Sequence, residues 1–196
     1  MSVDNDYVNE NEIEYREIYG ITMAQSVNNA VTDDTYFENE ATKSLSINSL
    51  ENEHKLDMII ANIALKYTPS NSVAYAKGGQ VIGIGAGQQN RVDCVKLAGK
   101  KASNWFMRSH PRVIELWNYF RDGVKRQDKV NAVLDYINGI EDSDYERWLN
   151  NFREGYRPER LTREEVEEYI NKMDGFSLVS DAFFPFRDSI DCCNRY

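Results

Sequence analysis

The chain has 196 residues, of which 41% are apolar and 28% charged, and a formal net charge of −9. That is enough chain to bury a core, with the balance of a soluble globular protein. The acidity excludes general nucleic-acid binding, which needs a basic surface to displace counterions, but leaves room for a local basic pocket around one phosphate.

No apolar run approaches the length of a membrane span, and the start MSVDNDYVNENEIEY has neither the basic nor the apolar part of a signal peptide. No membrane association and a cytoplasmic location are therefore expected. Cys94, Cys192 and Cys193 form no CxxC pair, and His54 and His110 lie in no zinc-type motif. Neither a disulfide framework nor a zinc site is expected.

In chain order, residues 1 to about 12 have nothing with which to build a core and are expected to be disordered or frayed. Glu14 to Met23 carries β-branched and aromatic residues and predicts a strand. Asn28 to Ser49 is polar without clear period and predicts loop or short helices. From Ser49, a cap ahead of Glu51 and Glu53, the residues Leu50, Leu56, Ile59, Ile60, Ile63 and Ala64 recur at helical spacing and predict a helix to Lys66. Ser72–Ala76 and Gln80–Ile84 are short apolar runs around Lys77-Gly78-Gly79, a hairpin signal that predicts paired antiparallel strands.

A helix is predicted from Arg91 to Arg108, with Val92, Val95, Leu97, Ala98, Ala102 and Trp105 or Phe106 facing inward. Pro111 starts a short helix through Phe120, and segments near 129–137, 144–152 and 162–173 also read as helices, the last behind a Thr162…Glu165 capping box. Ser177–Val179 predicts a final strand. Trp105, Trp117 and Trp148 are assigned to the core, His110 to a helix cap or the surface, and Lys125-Arg126 and Arg157–Arg163 to solvated faces. The fold class is α/β.

Three segments carry candidate chemistry. Gly83–Gln89 resembles a phosphate-binding glycine loop, but Gln88 stands where the dinucleotide pattern needs glycine. The glycines read equally as a close-packed strand-to-helix turn, or as a turn presenting Gln88, Gln89, Asn90 and Arg91 to a cleft. Arg91 opens a helix, where a guanidinium can bind phosphate or carboxylate or can simply be solvated. Asn71, in Lys66–Ser72, fits a polar substrate or an Asx-type turn. Asp181–Asp188 joins three phenylalanines and a proline to charged ends, which suits a planar heterocycle hydrogen-bonded at its edge, or a rigid core loop with a salt bridge.

Taken together, KYTPSNSVAYAKGGQVIGIGAGQQNRVDCVKLAGKKASNWFMRSHP and SDAFFPFRD resemble the AICAR formyltransferase family (AICAR is aminoimidazole carboxamide ribonucleotide). EIYGITMAQSVNNAV extends the likeness toward the N-terminus. The resemblance implies a cytidine-deaminase-like three-layer α/β/α fold over 13–196, here an incomplete copy of a duplicated domain. It implies formyl transfer from the co-substrate 10-formyltetrahydrofolate to AICAR in de novo purine biosynthesis, no zinc, and a homodimer with sites at the subunit boundary. By the same resemblance Asn71, Arg91 and Phe183 contact AICAR. Val92 and Asp188 contact the folate, and Pro185, Phe186 and Arg187 line the same region.

The chain departs from the family in one respect that bears on catalysis. The family's catalytic Lys-His pair lies upstream of the matching segments, and this sequence contains no Lys-His dipeptide. The chain is therefore expected to be a fragment, with no catalytic residue of its own. Attack of a delocalised, weakly nucleophilic amine on a formyl carbon needs both reactants held close, a proton removed and an oxyanion stabilised. Arg91, Asn71 and Phe183 would supply positioning, and the missing pair the rest. The alternative is a catalytically incomplete piece that binds nucleotide or folate, or pairs with a complementary subunit. A nicotinamide-dependent oxidoreductase is a distant third reading.

Overall fold

Gly78 and Gly79 both take positive φ, 60° and 75°, the backbone that a two-residue hairpin loop requires because its twist then matches that of the strands. They join β3 (Ser72–Lys77) to β4 (Gln80–Ala86), which pair antiparallel as the Gly-Gly signal predicts. The computed structural model describes residues 12–37 and 51–195. Within it, the last strand, β5 (Ser177–Ser180), adds to the other side of β3, giving the order β4-β3-β5.

Side chains alternate across β3, so its two faces have different partners. Val73 and Tyr75 pack with Ile82 of β4 and with Cys94, Val95 and Ala98 of α2 (Arg91–Met107). Ala74 and Ala76 meet Ala61 and Leu65 of α1 (Asn52–Lys66). One helix therefore covers each face of the sheet, and the architecture is α/β.

The inward face of α1 differs from the expected one. Asp57, Ala61 and Leu65 are buried, whereas Leu56 and Ile63 are 50% and 44% exposed. The small Ala61 lets the helix lie close on the two alanines of β3. Asp57 turns toward the hairpin, where its carboxylate accepts the amides of Gly78 (3.2 Å) and Gly79 (2.6 Å). The cap residue of α1 is Glu51, without a side-chain bond. The expected cap Ser49 and the apolar Leu50 lie outside the described residues, as does most of the expected frayed start.

The single strand expected over 14–23 is instead a hairpin, β1 (Ile13–Ile18) with β2 (Ile21–Ser26). Tyr19 and Gly20 form its turn at φ 50° and 77°. Tyr-Gly lacks the usual Asn-Gly or Gly-Gly signature, which is why the turn is hidden in the sequence. The expected polar stretch after it contains a short 3₁₀ turn, Asp34–Phe37.

Beyond α2, α3 (Pro111–Leu116), α4 (Arg126–Asn138), α5 (Asp142–Leu149) and α6 (Arg163–Ile170) enclose a second core. Met107, Leu116, Phe120, Val133, Trp148 and Phe152 are its centre. The helix at Pro111 stops at Leu116 rather than Phe120, because Phe120 leaves it to bridge Phe152. Trp148 is buried and its Nε1 donates to the Ala132 carbonyl at 2.9 Å. Trp105 is partly buried against the sheet core, but Trp117 is 45% exposed, against the expected core position. It lies just past α3, edge-on to Phe120, where the second core is already closed by Phe120 itself.

His110 caps α3, its Nδ1 accepting the Arg112 amide at 3.2 Å. The Thr162…Glu165 capping box is present on α6. Arg157, Arg160 and Arg163 sit on the surface, paired with Glu146, Asp142 and Glu167. A last helix, α7 (Arg187–Cys193), starts inside the phenylalanine-rich motif and was not foreseen as one. Among the described residues no helix is long and apolar enough to cross a membrane.

Candidate functional site

The register of the sheet brings the site together. Ser72 pairs with Ala86, and Val73 pairs with Ser180. Because both pairings are antiparallel, the start of β3 and the ends of β4 and β5 share one edge. The loops 67–71, 87–90 and 181–186 gather there, with the first residues of α2 and α7 beside them.

The glycines of β4 are packing residues. A Cβ on Gly85 would lie 2.8 Å from the Cys94 carbonyl carbon and 2.9 Å from the Ala98 amide. A Cβ on Gly83 would lie 2.9 Å from the Ala102 amide. Only backbone without side chains lets α2 lie this close on the sheet. Gly87, at φ 66°, then makes the turn that starts α2. Asn90 caps that helix by accepting the Asp93 amide at 2.8 Å.

Arg91 leaves the helix start and crosses beneath the loops. Its Nη1 donates to the Ser72 carbonyl (3.3 Å), to Ser180 Oγ (3.1 Å) and to the Asp181 carboxylate. Its Nη2 donates to Asn71 Oδ1 at 3.0 Å. Asn71 in turn donates to the Gln88 carbonyl at 3.4 Å, and its own carbonyl accepts the Gly87 amide and the Cys94 thiol, each at 3.1 Å. Asn71 thus ties three segments together rather than closing an Asx turn on itself.

On the other wall, Phe183 and Phe186 are 80% and 71% exposed. Between them Phe184 turns inward onto the sheet core. The motif therefore combines a salt-bridged anchor with an exposed aromatic face.

These parts enclose an open cleft of about 630 Å³. Asn71, Arg91, Val92, Phe183, Pro185, Phe186 and Asp188 all line it, so seven of the eight expected site residues converge. Arg187 does not line it; its Nε reaches along α7 to Asp191 at 3.3 Å. A side chain four residues ahead of a carboxylate on a helix finds that partner first. The lining also holds Asp93 and Lys96, paired at 3.1 Å, which the sequence reading did not single out. Asp181, Ser180 and Ser70 behind Arg91 were missed as well; their signal was the first aspartate of the phenylalanine-rich motif.

Electrostatically the cleft is balanced. Burial raises the Asp181 carboxyl, but hydrogen bonds from Ser70 and Arg91 outweigh it and hold the group below the usual carboxylate value. Asp93 is also lowered, by the Asn90 amide and then by Lys96. A carboxamide, a guanidinium and two open aromatic faces can bind the edge and the face of a flat polar ring. Among the described residues, no histidine lines the cleft.

With a helix on each face of the sheet and an open cleft at one end of it, this is a protein of the α/β class. Residues 1–101 match the family described as AICARFT/IMPCHase bienzyme, and the chain belongs to that family. It is similar to the bifunctional purine biosynthesis protein PurH of Neisseria meningitidis serogroup A, with 33% identity over 117 residues, 58% of this chain and 21% of the relative. The protein of the same name from Xylella fastidiosa is 28% identical over 116 residues, again 58% of this chain and 21% of the relative. That of Neisseria meningitidis serogroup C is 42% identical over 69 residues, 34% and 13% respectively. The chain thus spans about a fifth, or less, of the length of these relatives.

Proposed function

We propose that the chain supplies the substrate-positioning wall of an AICAR formyltransferase in purine biosynthesis. In this reading 10-formyltetrahydrofolate gives its formyl group to the AICAR amine, forming FAICAR and tetrahydrofolate. The observation that carries the proposal is the convergence of Asn71 and Arg91 with Phe183, Pro185 and Phe186 on one cleft. The similarity to bifunctional purine biosynthesis proteins supports the same class of substrate.

The mechanism assigns this chain binding and orientation. Phe183 lies flat against the nucleotide base, while Asn71 and Arg91 bind its polar edge. Val92, Pro185, Phe186 and Asp188 form the adjoining wall for the pterin. Holding amine and formyl carbon in contact distance removes much of the entropic barrier. Proton removal and oxyanion stabilisation are the roles that the family resemblance gives to a Lys-His pair, a dipeptide these 196 residues do not contain.

The test is formyl transfer measured with the upstream family segment added in trans. Turnover that is lost in Arg91→Ala supports the assignment; no turnover with both pieces folded and mixed overturns it. A second reading, a non-catalytic piece that binds or pairs with a complementary or second subunit, is favoured by the open apolar residues Ile18, Ile21 and Met23 of the first hairpin. Nucleotide binding without turnover selects that second reading.

A further inference from the structure

We infer that Asp181 is a positioning residue for the proposed nucleotide site, acting through Arg91 rather than on the ligand. This inference rests on the functional reading above. The argument starts from where Asp181 sits. Arg91 lines the cleft and Asp181 does not. Both side chains are largely covered, 10% and 16% exposed. A ligand in the cleft meets the guanidinium, and the carboxylate stands behind it.

The hydrogen bonds explain what the carboxylate does there. One oxygen takes Arg91 Nη1; the other accepts the Ser70 hydroxyl at 2.5 Å. The Asp181 amide donates to the Ser72 carbonyl at 3.1 Å, which fixes the backbone that carries the carboxylate. Asp181 is thereby anchored to both flanks of Asn71, the other polar residue of that wall.

The guanidinium has five N–H donors in one rigid plane. Nη1 is committed to Asp181, Ser180 and the Ser72 carbonyl, and one Nη2 hydrogen to Asn71. Nε–H and the second Nη2–H have no acceptor among the described residues. Because the guanidinium is rigid and planar, holding Nη1 and one Nη2 hydrogen fixes the direction in which these donors point. An arginine held this way has already lost its rotamer freedom before ligand arrives, so binding does not bear that cost. Without Asp181 the stem is free to sample other rotamers, and Asn71 loses the partner that holds its carboxamide oxygen.

A carboxylate that only staples two loops would affect stability alike whatever stands at position 91. A carboxylate that aims Arg91 affects ligand affinity only while Arg91 is present. AICAR binding to the full 196-residue chain is therefore measured by calorimetry for wild type, Asp181→Asn, Arg91→Gln and the double variant. The expected result is about a tenfold loss for Asp181→Asn, the size of one disrupted charge-assisted contact. Little further loss is expected when the same change is made in the Arg91→Gln background. Equal losses in both backgrounds, or none in either, overturn the inference.

A second measurement needs no ligand. The Arg91 Nη protons should give separate, slowly averaging NMR signals in wild type that collapse in Asp181→Asn and persist in Phe183→Ala. Identical signals in wild type and Asp181→Asn overturn the inference. Failure of folded wild type to bind AICAR strikes the functional reading instead, and the guanidinium signals still decide whether Asp181 aims Arg91. Should Asp181→Asn not fold, Asp181→Glu takes its place: it keeps the charge but moves it, and unchanged affinity overturns the inference.

Discussion

Gly85 lies directly under Cys94: a side chain on the glycine would meet the Cys94 carbonyl carbon at 2.8 Å, inside the distance any carbon pair tolerates. The contact sets how closely α2 rests on β4, and so where Arg91, at the start of that helix, enters the cleft. Gly85→Ala is expected to cost about 3 kcal/mol, as overpacking of a tight core does. Gly87→Ala, with open space around it but φ of 66°, should cost only about 1 kcal/mol of backbone strain. Denaturant unfolding of the two variants checks the order. The reverse order would mean the glycines serve the turn and not the packing.

Asp57 is buried with both carboxylate oxygens on the Gly78 and Gly79 amides. Asp57→Ala leaves those two donors without an acceptor under α1, and is expected to lower stability by about 3 kcal/mol. The hairpin amides should also lose protection from hydrogen exchange. Unchanged protection at Gly78 and Gly79 would count against the bonds.

Phe183 is 80% exposed, so truncating it removes little from the core. Phe183→Ala should leave the melting temperature within about 2 °C while weakening AICAR binding by about tenfold, the behaviour of an aromatic binding anchor. Phe184→Ala, whose ring packs on the sheet core, should do the opposite and destabilise the fold. Paired thermal melts and calorimetry separate the two neighbours.

His110 caps α3 only as the neutral ring, because Nδ1 must accept the Arg112 amide. Burial, followed by the charges of Arg112 and Lys172 and against the pull of Glu165, lowers its pKa from the ordinary value. The folded state then binds this proton less readily than the unfolded chain. Its stabilising contribution is complete above about pH 6.5 and is lost as pH falls through the depressed folded value. His110→Asn, which keeps a capping acceptor, should flatten stability across that window. His110→Ala should cost about 1 kcal/mol near neutral pH. Urea midpoints between pH 5 and 7.5 test both.

Much of this was readable from residues close in sequence. Gly78-Gly79 announces its hairpin because few other residues hold two positive φ angles in a row. Thr162 and Glu165 announce the start of α6 because each satisfies the other's backbone. The gathering of Arg91 with the phenylalanine-rich stretch was legible through family likeness, and seven of its eight named residues do share the cleft. Elsewhere local reasoning gave the wrong face or partner. The apolar spacing of α1 pointed to Leu56 and Ile63, but the alanines of β3 accept the narrow Ala61 side instead. The family likeness placed Arg187 in the same region, where its side chain pairs with Asp191 one helical turn away and does not line the cleft.

What the sequence alone determined is most of the helices, the Gly-Gly hairpin and the Thr162 capping box, since periodicity, caps and turn sterics act within a few residues. Only the tertiary structure decided which charge answers which. Arg91 and Asp181 are 90 positions apart, and no spacing rule connects them. They meet because β3 lies between β4 and β5, antiparallel to both, which brings the ends of two distant strands to one edge of the sheet.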